Sequence, residues 1–320
     1  MRLRDAGHVV ALAGGVGGAK LADGLAQVLG ERLTVVVNTG DDFEHLGFHI
    51  SPDLDTVIYT LAGIANPATG WGVADETWNF MDQIARFGGP TWFKLGDRDL
   101  ATHALRSERL WAGDTLSAIT DALCQALGIS ARIVPMSDDP VRTVVYSGSE
   151  RLAFQDYFVR LQAQVPVTAL SFDGAASASP SPEFARLMGG GRADAIIICP
   201  SNPYLSVDPI LSVPGVRAWI ENAGVPVVSV SPIVGGAAIK GPAAKIMAEL
   251  GLEVSSLTVA KHYAAFVTGL MIDVADAALV APIEETGVRT RVRPTIMRDA
   301  RDRRQVAEDC LSFADSLRRL

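Results

Sequence analysis

The sequence predicts an α/β fold, in which a parallel sheet is flanked by helices and accompanied by a smaller β-containing subdomain. Short apolar runs such as His8 to Ala13, Leu33 to Val37 and Ala195 to Cys199 are hydrophobic on both faces, which is typical of strands covered by helices on each side. Each run ends in residues that favour turns. Helical patterns follow, and Thr115 to Leu127 is the clearest of them.

The first of these units has the order strand, glycine turn and helix. Gly14 to Gly18 contains four glycines, and an amphipathic pattern from Leu21 to Leu29 follows it. This order is that of a Rossmann-like unit, in which a ligand binds beyond the carboxyl ends of the strands. Two later strands also end in polar turn residues, at Pro200 to Pro203 and at Ser231-Pro232.

The chain is predicted to have one discontinuous core with two additions. Residues 1–130 and 183–268 carry the α/β rhythm and form the Rossmann-like core. Residues 131–182 contain short alternating runs, among them Arg132 to Pro135, and predict a β-rich subdomain. Residues 269–320 form a C-terminal section, which ends in an amphipathic helix over Asp299 to Leu320.

Composition and charge narrow the class of protein. The 320 residues are 48% hydrophobic and 20% charged, which excludes a disordered chain, and the net charge of −8 gives no basic surface for nucleic acid. The longest charge-free run, between Glu221 and Lys240, is interrupted by prolines and glycines and is a poor membrane helix. Three cysteines without paired spacing favour a reducing, cytoplasmic setting. We therefore expect small-molecule partners, no nucleic acid and no membrane.

The glycine turn is the first segment with chemical meaning. Because it follows a strand and opens a helix, its backbone N–H groups and the positive end of the helix are suited to a phosphate. Lys20 follows within the segment GGVGGAK, although the spacing is not that of a P-loop. A tight strand-to-helix turn without a ligand is the alternative. Four glycines in five residues favour phosphate or nucleotide binding.

Four carboxylates form the second signal. Asp41 and Asp42 follow the second strand, and Asp53 and Asp55 stand at the start of the next helical stretch. They would repel one another near a phosphate unless a cation joined them, and Mg²⁺ prefers hard oxygen ligands with phosphate as co-ligand. Helix capping by Asp53 is the alternative, but capping accounts for one aspartate of the four. The sequence therefore predicts a magnesium site.

A charged segment beside aromatic residues is the third signal. Within Trp92 to His103, five ionisable side chains fall in ten residues: Lys94, Asp97, Arg98, Asp99 and His103. A solvated turn with internal ion pairs is the usual interpretation of such a cluster. It leaves Trp71 and Trp78 unexplained, because tryptophan prefers either a core or a ligand. A flat aromatic ligand would use both the charges and the rings.

Seven motifs stand in a fixed order along the chain: Gly14 to Lys20, Val36 to Asp42, Ser51 to Thr56, Leu95 to His103, Pro135 to Pro140, Pro200 to Pro203 and Ser231 to Gly236. In this order they resemble the 2-phospho-L-lactate transferases of coenzyme F420 biosynthesis, the CofD/FbiA-like family. The resemblance covers about the first 265 residues, and seven ordered motifs are far more specific than one glycine turn. The section after Gly269 is not matched.

The resemblance implies a magnesium-dependent transferase of a substituted phosphate group. A phospho-acid would pass from its guanosine-diphospho-activated form to the ribityl hydroxyl of the deazaflavin Fo. GMP would leave, and F420-0 or a close analogue would form. The acid stays open among 2-phospho-L-lactate, phosphoenolpyruvate and 3-phosphoglycerate, which differ by a methyl group, a double bond or a hydroxyl position.

The expected site combines residues from these motifs. The resemblance places Asp55 and Lys94 at Fo, where we expect them to be catalytic, and the acidic cluster leads us to expect Mg²⁺ on Asp41 and Asp55, with Asp53 as a substitute for either. Whether Asp55 is a metal ligand, a base or only a binding residue stays open. Further residues expected at Fo are Trp71, Asp97, Arg98 and His103. Those expected at the nucleotide and its phosphates are Gly14, Gly15, Gly17, Gly18, Lys20, Asn38, Ser201, Asn202 and Ser231.

Two other classes of protein remain as alternatives. Nucleotide-sugar-binding regulators of the same superfamily carry a comparable glycine turn without turnover, but segments 53–56 and 95–103 argue for the enzyme. The interpretation as a nicotinamide-dependent oxidoreductase rests only on the Rossmann-like start of the chain. The sequence lacks the acidic residue that binds the ribose in such enzymes.

The remaining residue types are given ordinary roles. The sequence contains no nucleophile motif, so covalent catalysis is not expected. The cysteines are interpreted as small buried hydrophobic residues. A homodimer is the expected assembly, because the apolar composition leaves room for one. Four histidines are interpreted as structural or surface residues: His8, His45, His49 and His262.

Overall fold

The computed structural model describes residues 2–318 and consists of a large parallel sheet, helices on both of its faces, and three small antiparallel sheets. The strands of the described range are β1 (Val9–Ala13), β2 (Leu33–Val37), β3 (Phe43–His45), β4 (Phe48–Ile50), β5 (Arg132–Pro135), β6 (Arg142–Ser147), β7 (Glu150–Ala153), β8 (Ala169–Asp173), β9 (Ala195–Ile198), β10 (Val227–Val230), β11 (Ile233–Val234), β12 (Ala237–Ala238), β13 (Gly269–Ile272) and β14 (Arg289–Val292). Its α-helices are α1 (Leu3–Ala6), α2 (Gly15–Leu29), α3 (Pro52–Leu61), α4 (Asn79–Arg86), α5 (Asp97–Trp111), α6 (Leu116–Ala126), α7 (Pro182–Met188), α8 (Asp208–Ser212), α9 (Val216–Glu221), α10 (Ala243–Glu249), α11 (Ser256–Tyr263), α12 (Val280–Glu284) and α13 (Ala300–Leu317).

The main sheet has seven strands in the order β14-β13-β10-β9-β1-β2-β5, and all neighbouring pairs are parallel. Val9 of β1 pairs with Leu33 on one side and with Ala195 on the other. The direction in which the chain adds strands therefore reverses between β1 and β9. Ligands of open parallel sheets bind at such a reversal, beyond the carboxyl ends of the strands. The fold confirms the predicted Rossmann-like α/β class.

Both faces of the main sheet are covered, which explains why its strands are apolar throughout. Val10 and Leu12 of β1 face one apolar layer, and Val9 and Ala11 face the other. Apolar residues of α2, α3, α6 and α13 fill the second layer, whereas α7, α9, α10 and α11 pack on the first. Burial on both sides removes the alternation of polar and apolar residues that a half-exposed strand shows.

The subdomain is a three-stranded antiparallel sheet in the order β7-β6-β8. It contacts the core where the backbone N–H of Thr143 donates to the carbonyl of Gly40 at 2.7 Å. The run Arg132–Pro135 differs from the expectation, since it forms the edge strand β5 of the main sheet and pairs Ile133 with Val35. A four-residue apolar run has the same pattern in either sheet, so only its partner decides where it belongs.

The C-terminal section completes the core. Strands β13 and β14 extend the main sheet, and α13 packs against α2 with Val306, Cys310 and Phe313 buried. A Cβ on Gly24 of α2 would lie 2.1 Å from the carbonyl oxygen of Arg303, so this close approach requires glycine. Residues 319 and 320 of the predicted helix lie outside the described residues. Cys124, Cys199 and Cys310 are buried and free. Within residues 2–318 the helices are all too short or too polar to cross a membrane.

Candidate active site

The glycine turn meets the polar turn after β9 at the point where the strand order reverses. The backbone N–H of Gly14 donates to the hydroxyl of Ser201 at 3.0 Å. A Cβ on Gly17 would lie 2.4 Å from the carbonyl oxygen of Pro200, which only glycine allows. Two motifs that are far apart in sequence therefore form one surface at the N-terminus of α2.

Asp53 connects the acidic segment to this turn. Its Oδ1 atom accepts from the backbone N–H of Gly15 at 2.7 Å, and its Oδ2 atom accepts from the amide nitrogen of Asn38 at 2.9 Å. Asn38 in turn accepts from the N–H of Gly40 at 2.8 Å. Burial raises the pKa of Asp53 to about 6, although the hydrogen bonds from Asn38 and Gly15 favour its charged form. A carboxylate thus occupies a position beside the predicted phosphate site.

Asp41 and Asp42 are buried next to Asp53, and each has an oxygen without a hydrogen bond. The Oδ1 atoms of both are unpartnered within the described residues. Burial, together with the charge of Asp53, raises the pKa of Asp41 well above its usual range. The other oxygen of Asp42 accepts from Ser51 Oγ at 2.8 Å and lies 3.1 Å from Nε2 of His49. Burial disfavours the charged form of His49, but the hydrogen bond and charge of Asp42 outweigh it and raise the histidine pKa.

The carboxylates fit a magnesium ion at Asp41 and Asp42 better than at Asp53 or Asp55, since both oxygens of Asp53 already accept hydrogen bonds. Unpaired, buried anionic oxygens are what a hard cation would satisfy. The oxygens of Asp55 are instead both bound by Arg106. Asp41, Asp53 and Asp55 do not form a set whose ligand atoms lie within 4.8 Å of one another in residues 2–318. The assignment of Mg²⁺ to these aspartates stays a prediction.

Asp55 belongs to a second, separate buried cluster. Its Oδ2 atom accepts from Nη1 of Arg106 at 3.1 Å and lies 3.6 Å from Nδ1 of His103. His103 Nε2 lies 3.2 Å from Oδ1 of Asp99, which also accepts from the hydroxyl of Tyr59 at 2.7 Å. Asp55, Asp99 and His103 bring their ligand atoms within 4.8 Å of one another. The guanidinium of Arg106 already supplies a positive charge to that group.

The electrostatics of Asp55 are set by two opposing effects. Burial raises its pKa, and the positive charge of Arg106 lowers it. The net direction is upward, so Asp55 is more basic than an ordinary aspartate. This favours its expected role as a proton acceptor, which stays a prediction.

Lys94 and Trp71 lie on the surface of the segment that precedes α5. The ammonium group of Lys94 lies 5.9 Å from the ring centroid of Trp78, and no carboxylate of residues 2–318 is within 4.0 Å of it. Trp71 and Trp78 are 49% and 40% exposed. Trp78 with the unpaired cation beside it is suited to a flat aromatic ligand, and Trp71 is a second accessible indole ring. Within residues 2–318, no hydrogen bond or ion pair joins Lys94 to Asp55.

Asp97 and Arg98 stabilise that same segment. Asp97 accepts hydrogen bonds from Thr77, Asn79 and Phe80, which lower its pKa to about 2. Arg98 donates from its guanidinium to the carbonyl of Ala74 at 2.9 Å. These contacts organise the approach to α5, so a direct contact of either side chain with Fo stays a prediction.

Three other expected nucleotide residues already have protein partners. Lys20 donates to the carbonyl of Met297 at 2.7 Å, and burial lowers its pKa. Ser231 is buried and lies 2.9 Å from the hydroxyl of Ser256. Asn202 accepts from the N–H of Tyr204 at 3.0 Å, while its amide nitrogen is buried without a partner in residues 2–318. Of these three, Asn202 therefore retains a free donor at the sheet edge.

Sequence reasoning missed the partners of the aspartates. The pairing of Arg106 with Asp55 is a long-range contact between α5 and α3, which local sequence patterns do not predict. His49, interpreted from the sequence as a structural or surface residue, contacts Asp42 and so has a structural role. Arg106 lies on the buried face of α5 with His103 and Ser107, and a buried arginine requires an anion.

Comparison with known proteins identifies the relatives of this chain. The family model described as 2-phospho-L-lactate transferase CofD matches residues 9–310. A phosphoenolpyruvate transferase of Streptomyces coelicolor is 44% identical over 318 residues, which cover 97% of this chain and 99% of the relative. One of Mycobacterium tuberculosis is 40% identical over 316 residues, covering 91% and 94%.

A solved structure of a Bacillus halodurans protein has a TM-score of 0.62 at 16% identity, covers 96% of this chain and 100% of that chain, and shows the fold alone. The family match extends past Gly269, so the C-terminal section is part of the same unit. The ordered motifs, the strand order and these relatives lead to one conclusion: the chain belongs to the 2-phospho-L-lactate transferase CofD family.

Proposed function

We propose that this protein transfers the phosphoenolpyruvate moiety from its guanosine-diphospho-activated form to the ribityl hydroxyl of Fo, releasing GMP and forming the dehydro form of F420-0. The observation that carries the proposal is the meeting of the glycine turn, Asp53 and Ser201 where the strand order reverses. The acid is taken from the relatives, which are named phosphoenolpyruvate transferases.

The donor would bind through its diphosphate at the N-terminus of α2. The N–H groups of Gly14 and Gly15 are already bonded to Ser201 and Asp53. The helix would therefore present to an anion the N–H groups of Val16 and Gly17, which follow in its first turn, and the positive end of its dipole. The unpartnered amide nitrogen of Asn202 adds a donor at the same edge. The carboxylate of Asp53 lies against this turn, so a diphosphate requires a cation between the two anions.

Asp41 would hold that magnesium ion together with Asp42. The Oδ1 atom of each is buried and has no hydrogen-bond partner among the described residues, whereas both oxygens of Asp53 are already bonded. When bound, the ion neutralises the charge of the diphosphate as GMP departs. His49 and Ser51 hold the other oxygen of Asp42 and leave its Oδ1 atom for the ion.

The transfer itself requires one bond to form and one to break. The Fo hydroxyl oxygen bonds to the phosphorus that carries the acid, and the bridging P–O bond to GMP breaks. The hydroxyl proton passes to Asp55, whose burial makes it more basic than usual. Lys94 would bind Fo together with Trp78, whose ring centroid lies 5.9 Å from its ammonium group, and Trp71 would offer a second exposed ring to the deazaflavin. Catalysis then rests on positioning and charge neutralisation.

The proposal is tested by supplying Fo with each of the three guanylated acids and MgCl₂, and analysing the product by mass spectrometry. We expect GMP and a product with the mass of the enolpyruvyl compound, formed faster than the lactyl or glyceryl analogue. A preferred product from another acid would correct the donor. Tight donor binding with no product from any acid would favour the nucleotide-sugar-binding regulator instead.

Assembly and location stay predictions from composition. The expected homodimer is checked by light scattering on the eluting protein during size-exclusion chromatography, with a mass of twice the monomer as the expected result. The expected cytoplasmic setting is checked by fractionating cells that express the protein.

A further inference from the structure

Arg106 is a fully buried arginine in the middle of α5. Only 1% of its surface is exposed, and both terminal nitrogens point at Asp55, with Nη1 donating to Oδ2 at 3.1 Å and Nη2 donating to Oδ1. This is the two-pronged geometry in which a planar guanidinium matches a carboxylate. It restrains the carboxylate against rotation, which a single hydrogen bond would not do.

The same guanidinium connects three elements around Asp55. Nη1 lies 3.4 Å from the carbonyl of His49 in β4 and 3.4 Å from Nδ1 of His103. The N–H of His49 donates to the hydroxyl of Ser107, the next residue of α5, at 2.7 Å. Arg106 thus fixes α5, α3 and the β3–β4 hairpin relative to one another.

Asp55 is placed by this contact and not by the glycine turn. Asp55 follows Asp53 by two residues in the first turn of α3, and Asp53 accepts a hydrogen bond from Gly15. The two carboxylates are therefore held by different groups. Asp53 is held by the backbone of the glycine turn, and Asp55 is held by the side chain of Arg106 in α5. This division separates a donor side from an acceptor side.

We propose that Arg106 is the positioning residue of the acceptor side, which holds the Asp55 carboxylate in the orientation that receives the Fo hydroxyl. The inference rests on the proposed function. A buried ion pair is weak support for stability, because desolvation offsets most of its attraction. A fixed carboxylate has a clear use in catalysis, since a displacement of about 1 Å at a reacting group lowers the rate by about a hundredfold.

The test compares Arg106→Lys, Arg106→Met, Asp55→Asn and the double variant Arg106→Met/Asp55→Asn. Steady-state kcat and both KM values are measured with Fo and the guanylated enolpyruvate. Arg293→Met is the control. Arg293 also pairs with an aspartate, Asp309, at a distance of 3.3 Å, and this pair lies away from the site. Arg106→Lys retains the positive charge, so it provides the test of the inference if Arg106→Met does not fold.

We expect Arg106→Lys to lower kcat about tenfold and Arg106→Met about a hundredfold, with the donor KM unchanged. If Arg106 acts through Asp55, the double variant has a kcat within twofold of Asp55→Asn alone. A purely structural role predicts instead a loss of folded protein with normal kcat per folded molecule. Multiplying effects in the double variant, or an Arg106→Lys enzyme within twofold of wild type, would overturn the inference.

A binding measurement separates this inference from the proposed function. Fo is titrated into each protein without donor, and its fluorescence is followed. A wild-type protein that binds Fo but forms no product contradicts the proposed function, and a weaker Fo affinity in Arg106→Lys then still supports Arg106. Unchanged Fo affinity in Arg106→Lys would then contradict the role of Arg106 as well. A wild-type protein that neither binds nor converts Fo overturns both.

Discussion

The Oδ1 atom of Asp53 accepts a hydrogen bond of 2.7 Å from the backbone nitrogen of Gly15, so an acidic side chain is seated against the N-terminus of α2. The helix dipole favours an anion at that place. A phosphate of the donor would occupy the same neighbourhood. We therefore expect the donor to require a cation beside Asp53, and this expectation underlies the magnesium prediction below.

Asp53 is predicted to make stability depend on pH near neutrality. Its pKa is raised from 3.8 to about 6 in the folded state, so the folded state is favoured below pH 4 and loses that advantage as the pH rises through about 6. The loss is up to about 3 kcal/mol at 1.36 kcal/mol per pKa unit. Urea unfolding in EDTA between pH 4 and pH 8 measures it. Asp53→Asn flattens the profile and exposed Asp121→Asn does not; an unchanged profile in Asp53→Asn contradicts the assignment.

Magnesium is predicted to stabilise the protein through Asp41. Thermal unfolding at pH 7.5 with and without MgCl₂ should show a rise in Tm, since a ligand at a hundred times its Kd adds about 2.7 kcal/mol. Asp41→Asn loses at least half of that rise. Asp55→Asn retains it, because Arg106 binds both oxygens of Asp55. A full Mg²⁺ response in Asp41→Asn together with full activity would show that Asp41 holds no metal.

Asp55 and Lys94 are predicted to affect different kinetic constants. Asp55→Asn lowers kcat for Fo by at least about a hundredfold, within the range of acid–base assistance. Lys94→Ala mainly raises the KM for Fo, because an exposed cation near Trp78 contributes to binding. Exposed Lys261→Ala is the control and should match wild type. The reverse pattern would exchange the two roles, and near-wild-type constants for both would remove them from the site.

Catalysis is predicted to proceed without a covalent enzyme intermediate. The cysteines Cys124, Cys199 and Cys310 are buried, and burial raises the pKa of each thiol, which keeps them protonated and poorly nucleophilic. Incubation with the guanylated acid in the absence of Fo should release no GMP and leave the intact protein mass unchanged. An adduct that carries the phospho-acid would contradict this prediction.

Gly17 is predicted to tolerate no side chain. A Cβ there would lie 2.4 Å from the carbonyl oxygen of Pro200, so Gly17→Ala must push the α2 turn away from the turn after β9. We expect a loss of about 1–3 kcal/mol in unfolding free energy and a higher donor KM. Gly189→Ala is the control, since its nearest neighbour would be 3.3 Å away. Equal melting temperatures for Gly17→Ala and wild type would contradict the packing argument.

Much of the fold was predictable from local patterns. The apolar runs of β1, β2 and β9 and the glycine turn fixed the class of sheet, because a strand buried on both faces has no polar alternation. The placement of Arg132–Pro135 was wrong in one respect, since it joins the main sheet beside β2. Its four residues carry no information about which strand they will pair with.

The candidate site was predictable in residue type and less so in grouping. Four residues expected near one phosphate do form contacts between distant parts of the chain. Gly14 bonds to Ser201, and Asn38 bonds to Asp53. Asp41 and Asp55 were expected to share a metal, yet Asp55 pairs with Arg106. Carboxylates two residues apart on a helix project in different directions, so Asp53 and Asp55 meet different neighbours.

The sequence by itself determined the family, the strand-turn-helix order and the chemical types of the functional residues, because motifs and periodicity are local properties of the chain. Only the tertiary structure decided that β1 and β9 adjoin, that Asp53 is held by Gly15 and Asn38, and that Asp55 is held by Arg106. Those contacts join residues brought together by packing the two apolar layers. Their energies depend on burial and distance, which no single segment of sequence contains.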